Sequence, residues 1–423
     1  MKKDLLFTAI TETKQMIHSE DFLNRNRLKE TCFTRKRKME FAFIIMFLLN
    51  FLKLTLQVEL NKFNKLFLNL DVSITKSAFS RARRKISPLA FRELFEMTSK
   101  LWLKSDEFHR YKGHRIFAID GSCINLPKNS PELLKDFGTL GKTSKAIRAR
   151  ASILCDVLDG VIVHAEFESI HTDERSLALK HVAFFDEFAS STDIIIFDRG
   201  YPSHDLIAEF DAKKWKFIMR IPKGFNYQID SSLQTDFIQV FRCRKQKYYV
   251  RVIKLQLPSG EIEQLITNIS PEAFKHEDFI ALYFLRWPVE TKYDTVKNKL
   301  FLETFSGKTT ISVKQDFYST MYISNLVSFA KLESDEIIAK EHQGKLLKYK
   351  YQTNENILIG IFKNELISAL LCQSLLERKQ LLERFIHEAS KSRSEIRPDR
   401  HFDRPANLTR WGSSCKNKAK TSI

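Results

Sequence analysis

The sequence predicts an α/β (α+β) protein in which a strand-rich central region lies between two helical regions. Three observations support this fold class. The first hundred residues show helical apolar periodicity, the stretch from about residue 110 alternates β-branched runs with turn residues, and helical periodicity returns after residue 310. A chain of 423 residues holds two or three domains, which we place at 1–105, 106–330 and 331–423.

The N-terminal region contains two segments that predict helices. Residues 41–49 are apolar on every side, as in a helix buried among others. Residues 73–88 begin with Ser and Thr and end at Pro88, which predicts a capped helix. Two interpretations of this second helix remain open, namely a recognition helix of the helix-turn-helix type and a basic helix face exposed to solvent. Its basic residues are Arg81, Arg83, Arg84 and Lys85.

The central region begins with strands that lead to acidic residues. The run H-R-I-F-A-I at 114–119 predicts a buried strand that Gly121 ends, directly after Asp120. A second β-branched run, 194–197, ends at Asp198. The other elements predicted before residue 200 are a hairpin over 149–168 with its turn at 158–160, and a helix over 175–185.

A further block of strands, at about 216–268, predicts a β-rich insertion. Its strands are expected at 217–221, 237–242, 248–257 and 264–266. Beyond it, residues 363–388 predict one long helix, for core packing or for dimerisation. The tail from residue 391 carries nine Lys or Arg against three acids, which predicts an extended or disordered segment.

The bulk composition narrows the class of partner. Lys and Arg total 69 against 51 acidic residues, a net charge of +18, which favours nucleic acid, although membrane and RNA binders are also basic. No apolar run is long enough to span a bilayer, and no signal peptide is expected, because the N-terminal apolar stretch is short and ends at Glu12. The six cysteines form no C-x-x-C pair, which is typical of a reducing cytoplasm.

Three acids stand out as candidate metal ligands, and they are Asp120, Asp198 and Glu290. An acid at the exit of a buried strand is held on a rigid element with its carboxylate free. Because no His or Cys accompanies these carboxylates, they favour Mg²⁺ or Mn²⁺ over zinc.

Glu290 belongs to a spaced set with Tyr283, Arg286 and Lys297, in the pattern Y-x2-R-x3-E-x6-K. On one helix these offsets share a face, where a phenol and two cations suit a phosphate-bearing substrate. Charge pairs on a solvated helix are the alternative. Pro288 leaves two possibilities, since either the helix starts near Trp287 or it kinks at the proline.

These motifs resemble the DDE transposases of bacterial insertion sequences, in the subgroup that carries the Y-R-E-K signature (insertion-sequence family four). Asp120 in I-D-G-S matches the first acid of that family, Asp198 in F-D-R-G-Y the second, and Glu290 the third. The resemblance runs from about 110 to 330. Its further matching segments are T-N at 267–268, F-S-G-K-T at 305–309 and Q-D-F-Y at 315–318.

The resemblance implies an RNase H-like catalytic core with a β-rich insertion, preceded by a helical DNA-binding domain and followed by a helical C-terminal region. It implies cleavage and strand transfer of DNA in a cut-and-paste reaction that passes through a DNA hairpin. Tyr283, Arg286 and Lys297 would contact phosphates at the element's end. The N-terminal domain would bind the terminal repeats.

The expected cofactor is Mg²⁺ or Mn²⁺, as two ions, with Asp120 bridging them and Asp198 and Glu290 each holding one. The expected partner is double-stranded DNA, namely the terminal inverted repeats and the target, and the active complex is expected to contain a homodimer. The expected location is the cytoplasm, in association with the nucleoid, and no membrane partner is expected. Two other functions remain open, namely an inactive or domesticated DNA-binding protein and an RNase H-like nuclease that cuts without joining.

Overall fold

The computed structural model describes residues 4–35, 38–50, 55–67, 74–141, 146–243, 245–257 and 260–397. The chain divides into two compact units. The terminal unit combines residues 1–85 with 326–423, and the central unit comprises residues 86–325.

The central unit is built on one large mixed sheet with helices on it. Its strands are β1 (Arg115–Asn125), β2 (Arg148–Asp156), β3 (Val161–Ser169), β4 (Asp193–Phe197), β5 (Lys216–Ile221), β6 (Asp236–Cys243), β7 (Gln246–Gln256) and β8 (Ile262–Thr267). Its helices are α6 (Leu89–Leu103), α7 (Pro131–Phe137), α8 (Glu174–Phe185), α9 (His204–Lys213), α10 (Tyr227–Ser231), α11 (Asp278–Phe284) and α12 (Trp287–Asp294). A π-helical segment, Thr295–Lys299, follows α12, and α13 (Thr310–His342) begins in this unit.

The sheet has the strand order β3-β2-β1-β4-β5-β8-β7-β6. Strands β1, β4 and β5 are parallel to one another, and the remaining neighbours are antiparallel. All five residues of β4 are buried, as expected of a parallel strand covered on both faces. The predicted α/β class, the hairpin at 158–160 and helix α8 are confirmed.

Strand β1 differs from the prediction in one respect that matters for the site. We expected Gly121 to end it, but β1 continues through Asp120 and Gly121 to Asn125, paired with β2. What ends at Asp120 is the parallel pairing with β4, whose last partners are Ile119 and Phe197. The long β2 supplies partners for β1 beyond that point, and a single glycine does not overcome them.

The β-rich block does not form a separate layer. Strand β5 pairs with β4 and completes a five-stranded core in the order β3-β2-β1-β4-β5. Strands β8, β7 and β6 then extend the same sheet outward from β5. The insertion therefore lengthens the sheet that carries the acidic residues.

The terminal unit is mainly helical. Its elements are α1 (Leu5–His18), α2 (Glu20–Asn26), α3 (Phe41–Leu48), α4 (Leu56–Phe67), α5 (Lys76–Arg83), the end of α13, β9 (Lys350–Thr353), α14 (Glu355–Leu371), α15 (Leu375–Lys391) and β10 (Arg393–Ile396). Every residue of α3 is buried, as predicted. Thr75 caps α5 by accepting a hydrogen bond from the Ala78 backbone N–H.

The predicted single helix over 363–388 is wrong. The chain leaves the helical conformation after Leu371, and Ser374 caps a new helix by accepting from the Glu377 backbone N–H. The local serine cap outweighs the continuous helical periodicity. The tail from residue 398 lies outside the described residues. Within the described ranges, every helix is too short or too polar to serve as a membrane span.

Candidate active site

Asp120 and Asp198 lie on adjacent strands at the same edge of the sheet. Asp198 directly follows β4, and Asp120 directly follows the last β1 residue that pairs with β4. Side chains alternate across a strand, so both acids share a face with the paired residues Ala118 and Ile196. The rigid sheet therefore brings the first two predicted acids together.

The third acid, Glu290, comes from α12, which packs on β1. Of the two possibilities left by Pro288, the helix start is the one observed, since α12 begins at Trp287 with the proline in its first turn. Tyr283 lies on α11, Arg286 precedes α12, and Lys297 lies in the π-helical segment. The arrangement with all four signature residues on one helix face therefore does not form, which is the outcome expected where the helix starts near Trp287.

The break between α11 and α12 nevertheless keeps two of these side chains, Tyr283 and Arg286, at the acids. The Tyr283 hydroxyl lies 3.5 Å from a carboxylate oxygen of Asp198. The Arg286 guanidinium donates to Glu290 over 2.6 Å. Two short helices thus bring the phenol and the guanidinium to the acids, which a single helix face was expected to do.

Lys297 reaches the neighbouring part of β1 instead of an acid. Its Nζ donates to the Ser122 hydroxyl over 2.7 Å and to the Cys123 carbonyl over 2.8 Å. Ser122 is two residues beyond Asp120 and therefore on the same face of the strand. The Lys297 ammonium is held on β1 two residues beyond the first acid, with the Tyr293 ring centroid 5.9 Å away.

The acids influence one another through charge. Burial raises the pKa of Asp120 to about 7, the nearby Arg286 opposes this shift, and Glu290 and Asp198 add to it. Burial lowers the pKa of Arg286, but its hydrogen bond to Glu290 and the charge of Asp198 help to leave it raised overall. The guanidinium is therefore hydrogen-bonded to Glu290 and lies within electrostatic range of Asp120 and Asp198.

The donor set fits a divalent cation, because it consists of carboxylates that repel one another. Among the described residues, however, no three His, Cys, Asp or Glu side chains are close enough to form a complete metal site. Glu290 is instead paired with Arg286.

A fourth acid, Glu174 in the first turn of α8, lies beside the glycines that follow the two strand acids. A Cβ atom at Gly121 would lie 3.1 Å from Glu174 Oε1, and one at Gly200 would lie 3.1 Å from Oε2. Arg150 of β2 forms an ion pair with the same carboxylate. The missing side chains of the two glycines thus leave room for the Glu174 carboxylate. The sequence pattern did not reveal this role of the glycines.

The sequence also did not reveal Arg220 and Glu263. Arg220 of β5 bonds to Glu263 of β8 over 2.9 Å, and the strand registers place both on the face that carries Asp198. Burial raises the pKa of Glu263, Arg220 opposes this, and the charge of Asp198 adds to it. Only the strand order could place this pair near the acids.

The basic residues of α5 and the turn after it belong to the terminal unit. Arg81, Arg84 and Lys85 are exposed. Arg83 is only 3% exposed and lies over the Phe79 ring at 5.9 Å, which removes its side chain from solvent. Arg81 and Lys85 also line a cavity of about 1010 Å³, together with Arg35 and Lys38.

The comparisons with known proteins agree with this geometry. A family model described as the transposase DDE domain matches residues 111–326, about half of the chain. The chain belongs to the DDE transposase family. It is an enzyme that cleaves and transfers DNA, and members of this family generally depend on a divalent metal.

A solved structure of similar fold is the piggyBac transposase synaptic complex with hairpin DNA. It superposes with a TM-score of 0.50 at 10% identity, covering 90% of this chain and 84% of that one. This similarity supports the RNase H-like fold of the sheet. No curated protein matches the chain significantly.

Proposed function

We propose that this DDE transposase belongs to the Y-R-E-K subgroup of bacterial insertion sequences and moves its element by cut and paste. The observation that carries the proposal is the contact of the signature residue Tyr283 with Asp198, an acid of the sheet. Tyr283 lies against Asp198, and Arg286 lies against Glu290. A solvated helix face with local charge pairs would not bring the Tyr283 hydroxyl to the acid that follows β4.

In this proposal, Asp120, Asp198 and Glu290 hold Mg²⁺ or Mn²⁺, as two ions, with Asp120 serving both. Bound there, the metal would supply Lewis-acid stabilisation of the scissile phosphate. The nucleophile is water and then the freed 3′-OH of the DNA. No serine or tyrosine nucleophile is required, and no covalent protein–DNA intermediate is expected.

The cations of the signature hold the DNA backbone. Arg286 offers a planar fork of donors that suits a phosphate, and Lys297 offers a point charge. Because Arg286 is the counter-ion of Glu290 in the described structure, an arriving phosphate gives the guanidinium a second anionic partner. Tyr283 contributes one hydroxyl donor to the same phosphate.

The partner is double-stranded DNA, both the terminal inverted repeats and the target. Exposed Arg81, Arg84 and Lys85 on the terminal unit support a separate DNA-contacting surface. Since an element has two ends, each of which must be cut, we propose that a homodimer supplies two active sites. The enzyme would act at the nucleoid.

The test is to replace each of the three acids by alanine and to measure cleavage and DNA binding separately. We expect each variant to lose cleavage of an end-sequence duplex in Mn²⁺, while its gel-shift affinity stays close to wild type. Asp211→Ala, at an exposed acid on α9, is the matched control and should cleave normally. Full cleavage by any of the three variants would remove that residue from the site.

The same assay separates the other two functions. An RNase H-like nuclease would cut the duplex but leave the 3′-OH end unjoined to a target plasmid. An inactive DNA-binding protein would shift the duplex and cut nothing. Strand-transfer products from the wild-type chain, absent with Asp120→Ala, would exclude both.

A further inference from the structure

Tyr293 connects the helix of the third acid to the strand of the first. It lies three residues after Glu290 on α12, and its side chain is buried. Its hydroxyl donates to the Asp120 carbonyl over 3.1 Å and approaches the Ala151 carbonyl at 3.2 Å. These oxygens belong to the adjacent strands β1 and β2.

The hydroxyl has a specific structural task, because a ring alone would fill the same space. Burying a hydroxyl costs free energy unless it is hydrogen-bonded, and a phenol has only one hydrogen to donate. Here that hydrogen lies between the carbonyls of Asp120 and Ala151, so the hydroxyl contacts the backbone of the first acid and of the strand paired with it. The bond therefore acts on the position of the first acid and not merely on the packing of α12.

A second contact fixes the other end of the same helical stretch. Lys297 lies four residues after Tyr293, over its ring, and donates to Ser122 and to the Cys123 carbonyl. Together the two residues fasten α12 and the π-helical segment along β1. The tyrosine contact is the one at the level of the acids.

We propose that Tyr293 is a positioning residue that sets the separation of Asp120 and Glu290 through its hydroxyl, and so determines whether the two carboxylates can share metal ions. The inference rests on the proposed function, since it assumes that these carboxylates are the metal ligands. Tyr293 itself touches neither substrate nor metal in this proposal. Its effect passes through the backbone of Asp120.

The test compares Tyr293→Phe with Tyr248→Phe. Tyr248, on β7, is also largely buried and donates to the Gln246 side chain over 2.7 Å, so its replacement removes a hydroxyl bond at a distant place. For each variant we would measure the single-turnover cleavage rate at saturating DNA, the DNA dissociation constant without metal, and Mn²⁺ affinity by isothermal titration. Urea unfolding would confirm that both variants fold.

We expect Tyr293→Phe to cleave at least about tenfold more slowly, which corresponds to about 1.4 kcal/mol of transition-state stabilisation. Its Mn²⁺ affinity should weaken by a similar factor, and its DNA affinity should match wild type. Tyr248→Phe should match wild type in all three. A merely structural role would lower stability without separating metal affinity from DNA affinity.

The proposal is overturned if either the cleavage rate or the Mn²⁺ affinity of Tyr293→Phe stays within about twofold of wild type. It is also overturned if DNA affinity falls as much as metal affinity. Failure of the underlying function looks different, because Asp120→Ala would then retain cleavage. If Tyr293→Phe does not fold, Tyr293→Trp would be tested instead, because tryptophan keeps a buried hydrogen-bond donor. Loss of cleavage by a folded Tyr293→Trp with normal Mn²⁺ affinity would contradict the inference.

Discussion

A buried histidine pair, with His164 on β3 and His181 on α8, should make the central unit sensitive to acid. His164 and His181 face each other with their Nδ1 atoms 2.8 Å apart. Arg92 approaches His164 Nε2 at 3.2 Å and can only donate, so that nitrogen accepts and the Nδ1–H of His164 donates to His181. His181 then donates from Nε2 to the Ser152 hydroxyl, 2.9 Å away. Both rings must be neutral for this chain to exist.

The pKa shifts give the sign and the size of the effect. Burial, with the charges of Arg92 and Lys180, lowers the pKa of His181 to about 3 from its ordinary 6.5, and burial lowers that of His164 as well. The unfolded chain therefore binds more protons than the folded one below pH 6.5, so stability falls as the pH drops from 6.5 towards 3. Between pH 7.5 and pH 5.0 the His181 contribution is about 2 kcal/mol of unfolding free energy.

The measurement uses His181→Gln, whose amide can accept from His164 and donate to Ser152 but does not titrate. We would follow urea unfolding by the fluorescence of buried Trp102 and Trp215 at both pH values. Between pH 7.5 and pH 5.0, the unfolding free energy of the variant should fall by about 2 kcal/mol less than that of wild type. His171→Gln, at an exposed histidine, should lose as much as wild type. Equal losses for wild type and His181→Gln would refute the reasoning.

Two further predictions concern the cations. Arg286→Ala should lose cleavage, yet titration should show Mn²⁺ binding at least as tight as in wild type, because the guanidinium supplies no ligand atom and holds Glu290; a lost metal site would contradict this. Replacing Arg81 and Arg84 by alanine should lower the salt slope of DNA binding by about one for each phosphate that is no longer neutralised, measured by fluorescence anisotropy. Arg83→Ala, at the buried neighbouring residue, should instead lower the stability of the protein. An unchanged salt slope in the Arg81/Arg84 double variant would exclude α5 and the turn after it from DNA binding.

The sequence by itself picked out the candidate site residues that lie in fixed local contexts. A β-branched run that ends in Asp198, and a signature around Glu290, are visible without coordinates because strands and spacing are local properties. The same holds for the hairpin at 158–160 and for the buried helix α3. The charge of +18 likewise indicated nucleic acid before any fold was known.

Local sequence patterns did not determine where a helix or strand ends when pairing with a distant part of the chain sets that end. Gly121 is a plausible strand end, yet β2 carries β1 past it. Pro288 permitted a kink or a start, and the start was observed at Trp287. The basic run 81–85 gave no sign that Arg83 would turn inward onto Phe79.

Only the tertiary structure decided which distant residues meet. Glu174 approaches both Gly121 and Gly200 because β1 and β4, which precede these glycines, are adjacent in the sheet. Arg220 and Glu263 share the face of Asp198 because β5 and β8 extend the core sheet. Tyr293 reaches the Asp120 carbonyl across 173 positions of sequence. Such contacts depend on strand order and register, which arise from non-local pairing and leave no trace in the spacing of residues along the chain.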